Sequence, residues 1–267
     1  MNKCFKAMLS IAVLPLLNAC NSEGAFSSKS EPTVIEIAVT PSPALVLEGR
    51  TQQLVATAKY DNNTESDVSD SVTWEVVGDP TIASVSASGI ITGNVLGDTE
   101  LTASKDGITS TTVNVTVYNL AGPYIDTFDT GSGKLFTNSP SVAYLDSIDN
   151  SATTDGTFTE IDMDGPAGDF YQFTWANVET PCNIYNTNSI GGRTNWRLPS
   201  RDELEMELFD VYDNMFTERG WPTTSRYWST TPDGSFAYFA VSLIDGVVSG
   251  NLQGATNYVS CVSNPES

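Results

Sequence analysis

The chain has 267 residues, 12 basic against 33 acidic side chains for a formal net charge of −21, and no histidine. The acidic balance offers no basic stripe for phosphate contacts and so excludes nucleic acid as a partner. Without histidine there is no Ser-His-Asp or Cys-His relay and no imidazole metal site, and the few cysteines are a poor start on a zinc site. The expected class is therefore non-enzymatic, with no cofactor and no metal.

Lys3 and Lys6 precede an eleven-residue apolar run from Ala7 to Leu17. That run is too short for a membrane span, which needs about 20 residues, and it has the layout of a secretory signal over residues 1–19. Leu17-Asn18-Ala19-Cys20 then resembles a bacterial lipobox, which implies cleavage before Cys20 and lipidation of its thiol. In lipoproteins an Asp after the cysteine marks retention in the inner membrane. Asn21 stands there instead, which favours the outer membrane, on its outer or its periplasmic face. Loss of Lys3 and Lys6 with the signal leaves 10 basic and 33 acidic residues, a net −23. Membrane contact is expected through the lipid anchor only, because such a surface repels anionic headgroups. Residues 20–32 are small and polar and read as a flexible tether. With Cys4 removed and Cys20 acylated, Cys182 and Cys261 remain as an even pair in an exported chain, and a disulfide is the leading reading over two free thiols.

From residue 33 to 118 short Val- and Thr-rich runs alternate with turn signals. Val34–Thr40, Leu54–Tyr60, 72–77, Ile82–Val85, Leu101–Ser104 and Thr109–Val117 are predicted strands, separated by Gly78-Asp79-Pro80, Ser88-Gly89, Gly97-Asp98 and Asp106-Gly107. About seven such strands predict an all-β sandwich with Trp74 as its central aromatic. The stretches Val39-Thr40-Pro41, Leu54-Val55-Ala56-Thr57, Val72-Thr73-Trp74 and Ile82-Ala83-Ser84-Val85 through Gly93 resemble the group 2 bacterial immunoglobulin-like domain. That resemblance implies a spacer.

Residues 119–140 read as a connector. Asp129-Thr130-Gly131 copies the aspartic-protease loop, but no second such motif supplies the partner carboxylate, so a turn is expected. Residues 141–267 form the second predicted domain. Strands at Phe158–Ile161 and Asp169–Thr174 flank an acidic turn whose Asp162, Asp164 and Asp169 are the one calcium alternative. Ser200 and Glu203 fit a capping box, with Leu204, Leu208 and Val211 or Tyr212 on one helical face. Pro181 would break a helix running from Trp175 through Cys182, so the helix there is expected either to be short or to begin at Pro181, and Asp245-Gly246 reads as a hairpin turn.

The order Thr174-Trp175-Ala176-Asn177, Cys182-Asn183, Gly191 to Ser200, Tyr227-Trp228-Ser229 and Asn257 to Val262 resembles the Lcl C-terminal family and related ends of adhesin/invasin proteins. This resemblance implies an α+β, C-type-lectin-like fold and surface attachment. The expected architecture is thus multidomain: an all-β immunoglobulin-like sandwich followed by an α+β lectin-like domain. The expected function is a non-catalytic adhesin or ligand-binding module; the alternative is an envelope component docking a partner protein. The ligand is a glycan or a protein. Candidate ligand-binding residues are Arg193, Arg219 and Arg226, for anionic groups, with Trp221, Tyr227 and Trp228 for stacking. The bland alternatives are arginines paired with the neighbouring acids and aromatics held in the core.

Overall fold

The structure, a computed structural model, describes residues 31–265. The signal segment, Cys20 and most of the expected tether lie outside these residues.

The N-terminal region contains β1 (Val34–Thr40), β2 (Ala44–Leu47), β3 (Thr51–Gln53), β4 (Val55–Tyr60), β5 (Glu65–Asp67), β6 (Thr73–Val76), β7 (Ala83–Val85), β8 (Ile90–Gly93), β9 (Gly97–Lys105), β10 (Ile108–Thr109) and β11 (Val113–Tyr118). They form the sheets β1-β4-β5, β10-β9-β11-β2 with β6 also on β9, and β3-β8-β7. Period-two patterning builds the core: Thr99, Leu101 and Ala103 of β9 and Val113, Val115 and Val117 of β11 turn inward while their neighbours face out. Each fully buried Val, Leu or Ile contributes about 1.5–3 kcal/mol. Every strand pair is antiparallel except β11 with β2. The alternation does not predict β2, because Pro41 and Pro43 interrupt it.

Trp74 corrects one expectation. It is only half-buried, and Leu54, Ile91 and Leu101 fill the centre instead. The indole Nε1 donates to the Ser69 carbonyl at 2.9 Å, and the ring covers the Ser88-Gly89 turn. Gly89 has φ +80°, and a Cβ there would sit 2.8 Å from Trp74 Cζ2 and 2.9 Å from the Leu54 carbonyl. Both constraints require glycine.

The C-terminal region holds β12 (Thr127–Asp129), β13 (Leu135–Thr137), α1 (Val142–Ile148), β14 (Thr157–Glu160), β15 (Gly168–Tyr171), α2 (Thr180–Thr187), a π-helical turn (Glu203–Phe209) running into α3 (Asp210–Tyr212), α4 (Met215–Arg219), β16 (Tyr227–Pro232), β17 (Ala237–Val241), β18 (Val248–Leu252) and β19 (Val262–Ser263). Its sheets are β12-β13-β19, β14-β15 and β16-β17-β18. Residues 119–140 are more than a connector: they supply the β12–β13 hairpin, and β13 pairs with β19 near the far end of the chain.

The β16-β17-β18 sheet is covered on both faces where the first half of β16 meets the end of β17. Successive residues point to opposite faces: Tyr227, Val241 and Tyr258 enter one core, and Trp228, Ala240 and Val259 the other. The Cys182–Cys261 disulfide is formed, with Cα atoms 5.5 Å apart, and ties α2 to the segment before β19. At the junction of the two regions Leu120 lies in the C-terminal core with Leu47 and Tyr118 packed on it. The Arg50 guanidinium there donates to the Thr217 carbonyl.

Candidate functional site

The sequence candidates part company in the structure. Trp221, Tyr227 and Trp228 are fully buried, so none offers a face to a ligand. Their polar atoms are engaged internally: Trp221 Nε1 donates to Asp126 at 2.8 Å, Tyr227 Oη to the Pro222 carbonyl at 2.6 Å, and Trp228 Nε1 to the Phe173 carbonyl at 2.7 Å. Adjacent tryptophan and tyrosine in one strand suggest an exposed face only if one side of the sheet is wet. Here both sides are core.

The arginines do not converge on a patch. Arg219 grips Asp126 through Nε and Nη2 at 2.9 and 2.7 Å and lies 4.5 Å over the Phe128 ring. Arg193 donates to the carbonyls of Asn264 and Gly133 at 3.0 and 3.1 Å. Arg201 pairs with Asp202 and Glu205. Alone among the five arginines between residues 193 and 226, Arg226 has a guanidinium with neither a hydrogen bond nor a carboxylate within 4.0 Å among the described residues, and its buried Nε is unpartnered. It lies toward Asp245, whose carboxyl is held below its ordinary value chiefly by the Ser242 hydroxyl and the Val247 N–H.

Two buried carboxylates are structural. Glu203 takes Arg197 Nη1 and Nη2 at 2.8 and 2.6 Å and Lys134 at 3.2 Å. It also closes the capping box, accepting the Ser200 N–H at 2.9 Å while the Ser200 hydroxyl accepts the Glu203 N–H at 3.2 Å. Burial pushes this carboxyl up, but the Arg197 hydrogen bonds, the Ser200 N–H and the nearby positive charges outweigh it and hold it at about 2. The following π turn widens the helix, which turns Val211 out to 61 % exposure and leaves Tyr212 half-buried on the core. Glu160 is buried without a cation and accepts from Tyr258 Oη at 2.8 Å and from the Thr224 N–H and hydroxyl. Burial, then the Glu160 charge, pushes the Tyr258 phenol up, so it remains a donor. Asp129 caps its own turn, accepting the N–H groups of Gly131 and Gly133 at 2.8 and 3.0 Å. Asp169 accepts the Thr159 hydroxyl. Among the described residues no group of three or more acidic or cysteine side chains is placed to hold a metal.

The accessible recognition chemistry lies elsewhere, at the outer end of the β17–β18 hairpin. Phe236 is 75 % and Leu252 69 % exposed, and both stand at the open end of the hairpin, where the Gln253 N–H donates to the Phe236 carbonyl at 3.2 Å and Ala237 pairs with Leu252, so that their side chains emerge on opposite faces of the sheet. On the Phe236 face Trp175 stacks on Tyr238, ring centroids 3.3 Å apart and planes within 14°. The Trp175 turn is rigidly held. Asp155 accepts the Thr174 N–H and hydroxyl at 2.7 and 2.9 Å and the Asn177 amide at 2.9 and 3.0 Å, and the Trp175 N–H donates to the Gln253 carbonyl at 3.1 Å. The sequence signal for Phe236 was an aromatic directly after Pro232-Asp233-Gly234-Ser235, in a turn where an apolar side chain has no core to reach.

Residues 33–117 match the bacterial Ig-like domain (group 2) family and residues 149–263 match the Lcl C-terminal domain family. The chain carries both domains. A curated relative, Ice-binding protein 1 of Shewanella frigidimarina, is 24% identical over 247 residues, covering 85% of this chain and 27% of that protein. The chain thus spans about a quarter of that relative's length. Among solved structures, the Yersinia pseudotuberculosis adhesin InvE aligns at 20% identity and TM-score 0.45 over 85% of this chain and 70% of that one. A C-terminal fragment of intimin in complex with the translocated intimin receptor aligns at 17% identity and TM-score 0.30, over 87% and 65% respectively. The Lcl C-terminal domain match begins after the β12–β13 hairpin, although that hairpin is built into the same domain by its pairing with β19.

Proposed function

We propose that the protein is a surface-displayed, non-catalytic binding module. Acylated Cys20 holds it in the outer membrane, the Ig-like domain acts as a spacer, and the lectin-like Lcl C-terminal domain is the recognition tip. The observation that carries this reading is the exposed aromatic Phe236 on the sheet face that carries the Trp175–Tyr238 stack, with Leu252 exposed on the other face of the same hairpin end, in a domain whose Trp196, Trp221 and Trp228 lie in the core. Isolated exposed apolar residues need no explanation, whereas an exposed aromatic two residues along the same strand face from a stacked pair is a feature suited to an interaction site. A protein ligand suits this end better than a sulfated or carboxylated glycan, because four of the five clustered arginines already have internal partners. The buried carboxylates Glu160 and Glu203 are fully used in internal hydrogen bonds, which supports a non-catalytic role.

Protease added to intact cells is the test. Removal of the Lcl C-terminal domain, together with cell attachment that falls when Phe236 is changed to Ser, is the expected result. Protection in intact cells with cleavage after lysis would overturn the surface reading and leave a periplasmic docking component.

A further inference from the structure

We propose that β18 is a docking edge that accepts an extended, lysine- or arginine-rich segment of a partner protein as an added strand. This rests on the proposed binding role and names the class of partner. The backbone supplies the first argument. The Ser242 N–H donates to the Val247 carbonyl at 2.9 Å and the Gln253 N–H to the Phe236 carbonyl at 3.2 Å. Ladder groups alternate with period two, so Val247, Ser249, Asn251 and Gln253 turn their backbone toward β17. Val248, Gly250 and Leu252 turn theirs outward, at the free edge of the sheet. Among the described residues only one of these outward groups has a partner, the Leu252 carbonyl, which accepts from Ala255 at 2.9 Å.

The second argument is that this edge lacks the usual guards. Sheet proteins block free edges with charges, prolines, bulges or very short strands. In the same domain β12 ends in Asp129, β14 in Glu160, β15 carries Asp169 and β16 ends in Pro232, whereas Val248-Ser249-Gly250-Asn251-Leu252 has five residues without a charge or a proline. Strand addition draws affinity from main-chain hydrogen bonds and specificity from the flanking side chains. Those side chains are here. Leu252 and Phe236 offer apolar contact at one end. The Asp233 carboxylate lies over Gly250 at mid-strand, where any Cβ would overlap it.

Charge selects the occupant. Asp233 has no basic partner within 4.0 Å among the described residues, so a lysine or arginine arriving opposite Gly250 meets an unpaired acid. A second copy of this chain brings another −21 formal charge to the same edge, which opposes self-pairing. A cationic strand is attracted by both.

The test uses the full chain and three acetylated, amidated hexapeptides: Lys-Val-Lys-Val-Lys-Val, the same peptide N-methylated at alternate residues, and Glu-Val-Glu-Val-Glu-Val. Binding is read by anisotropy and by amide exchange. The lysine peptide is expected to bind and to slow exchange at Val248 and Gly250 at least about tenfold, while the other two do not. Asp233→Asn is expected to weaken binding about tenfold, and Leu252→Pro, which deletes one outward donor without touching the β17 ladder, to weaken it similarly. Equal binding of the N-methylated peptide, or protection away from β18, overturns the proposal. So does self-association of the free chain that Leu252→Pro abolishes, which would make a second copy the occupant. If no peptide binds while Phe236→Ser still lowers cell attachment, the docking edge is wrong and the binding role stands. If attachment also ignores Phe236, both fail.

Discussion

The Ig-like domain and the Lcl C-terminal domain are stabilised by different means. The first has a core of small and medium aliphatic side chains, Val, Ala, Leu and Ile, drawn from alternating strands, with its one tryptophan at the margin. The second surrounds a sheet with two cores rich in Trp, Tyr and Phe and adds a disulfide and a buried charge cluster around Glu203. Regular alternation is enough to specify the first. Short strands and irregular turns in the second need covalent and polar constraints to fix one arrangement.

The largest expected consequence is separable unfolding. Reducing the Cys182–Cys261 bond opens a loop of 79 residues, worth about 4–5 kcal/mol in the chain-entropy account. A melt with reductant is expected to lower the transition of the Lcl C-terminal domain and leave that of the Ig-like domain in place. Equal shifts of both would show that the two domains unfold as one, and the contrast would break. Next in size, Trp228→Ala is expected to cost about 3–5 kcal/mol, because the ring is fully buried and its Nε1 bond to the Phe173 carbonyl is lost. The half-buried Trp74 is expected to cost less on the same substitution. A Trp228→Ala protein that keeps its stability but loses attachment would restore the stacking role removed above.

The same contrast governs how much could be read from the residues. In the Ig-like domain β1, β4, β6 and β7 fall within a residue or two of the strands expected from the sequence, whereas the run expected from Thr109 to Val117 is split into β10 and β11, and β11 starts only at Val113. The missed β2 lies behind two prolines, and its pairing with β11 is parallel and non-local. The capping box at Ser200 and Glu203, the helix start at Pro181 and the hairpin of β14 and β15 were legible as local signals. The site was not. Whether Tyr227 and Trp228 face water depends on what covers each side of their sheet, and the cover comes from α2, the π turn and the last strand, far away in sequence. Arg219 likewise finds its partner 93 residues upstream, in Asp126. Local patterning carries no information on either.

A smaller effect separates the domains by pH. The folded Glu203 carboxyl sits at about 2, below the ordinary glutamate value of about 4.3. Its contribution is therefore fully present above about pH 4.3 and is lost as pH falls toward 2. The full gap would be about 3 kcal/mol at 1.36 kcal/mol per pH unit. Arg197 is 44 % exposed, so solvent screening reduces the expected loss to about 1–2 kcal/mol. Acid titration of the two melting transitions checks this. The wild-type slope in that window should disappear in Glu203→Gln, and a slope that persists would assign the acid sensitivity to another carboxylate.

The smallest effect tests whether the Ig-like domain and the Lcl C-terminal domain are mechanically joined. Arg50 of the Ig-like domain donates to the Thr217 carbonyl in the middle of α4, and Leu47 packs so close to Gly220 that a Cβ there would lie 3.2 Å from it. Tyr118 and Tyr124, one on each side of Leu120, bring their rings to 4.3 Å. Arg50→Ala removes a single, partly solvated charged hydrogen bond and is expected to change stability by less than about 1 kcal/mol. Its effect should fall on orientation. Small-angle scattering is expected to show a broader distribution of end-to-end distances for Arg50→Ala than for the parent, with both melting transitions nearly unmoved. An unchanged distribution would assign the alignment to the apolar contacts of Leu47 and Leu120, and Leu47→Ser would then be the substitution that frees the Lcl C-terminal domain. Either result decides which contact fixes the direction of the Lcl C-terminal domain relative to the Ig-like domain.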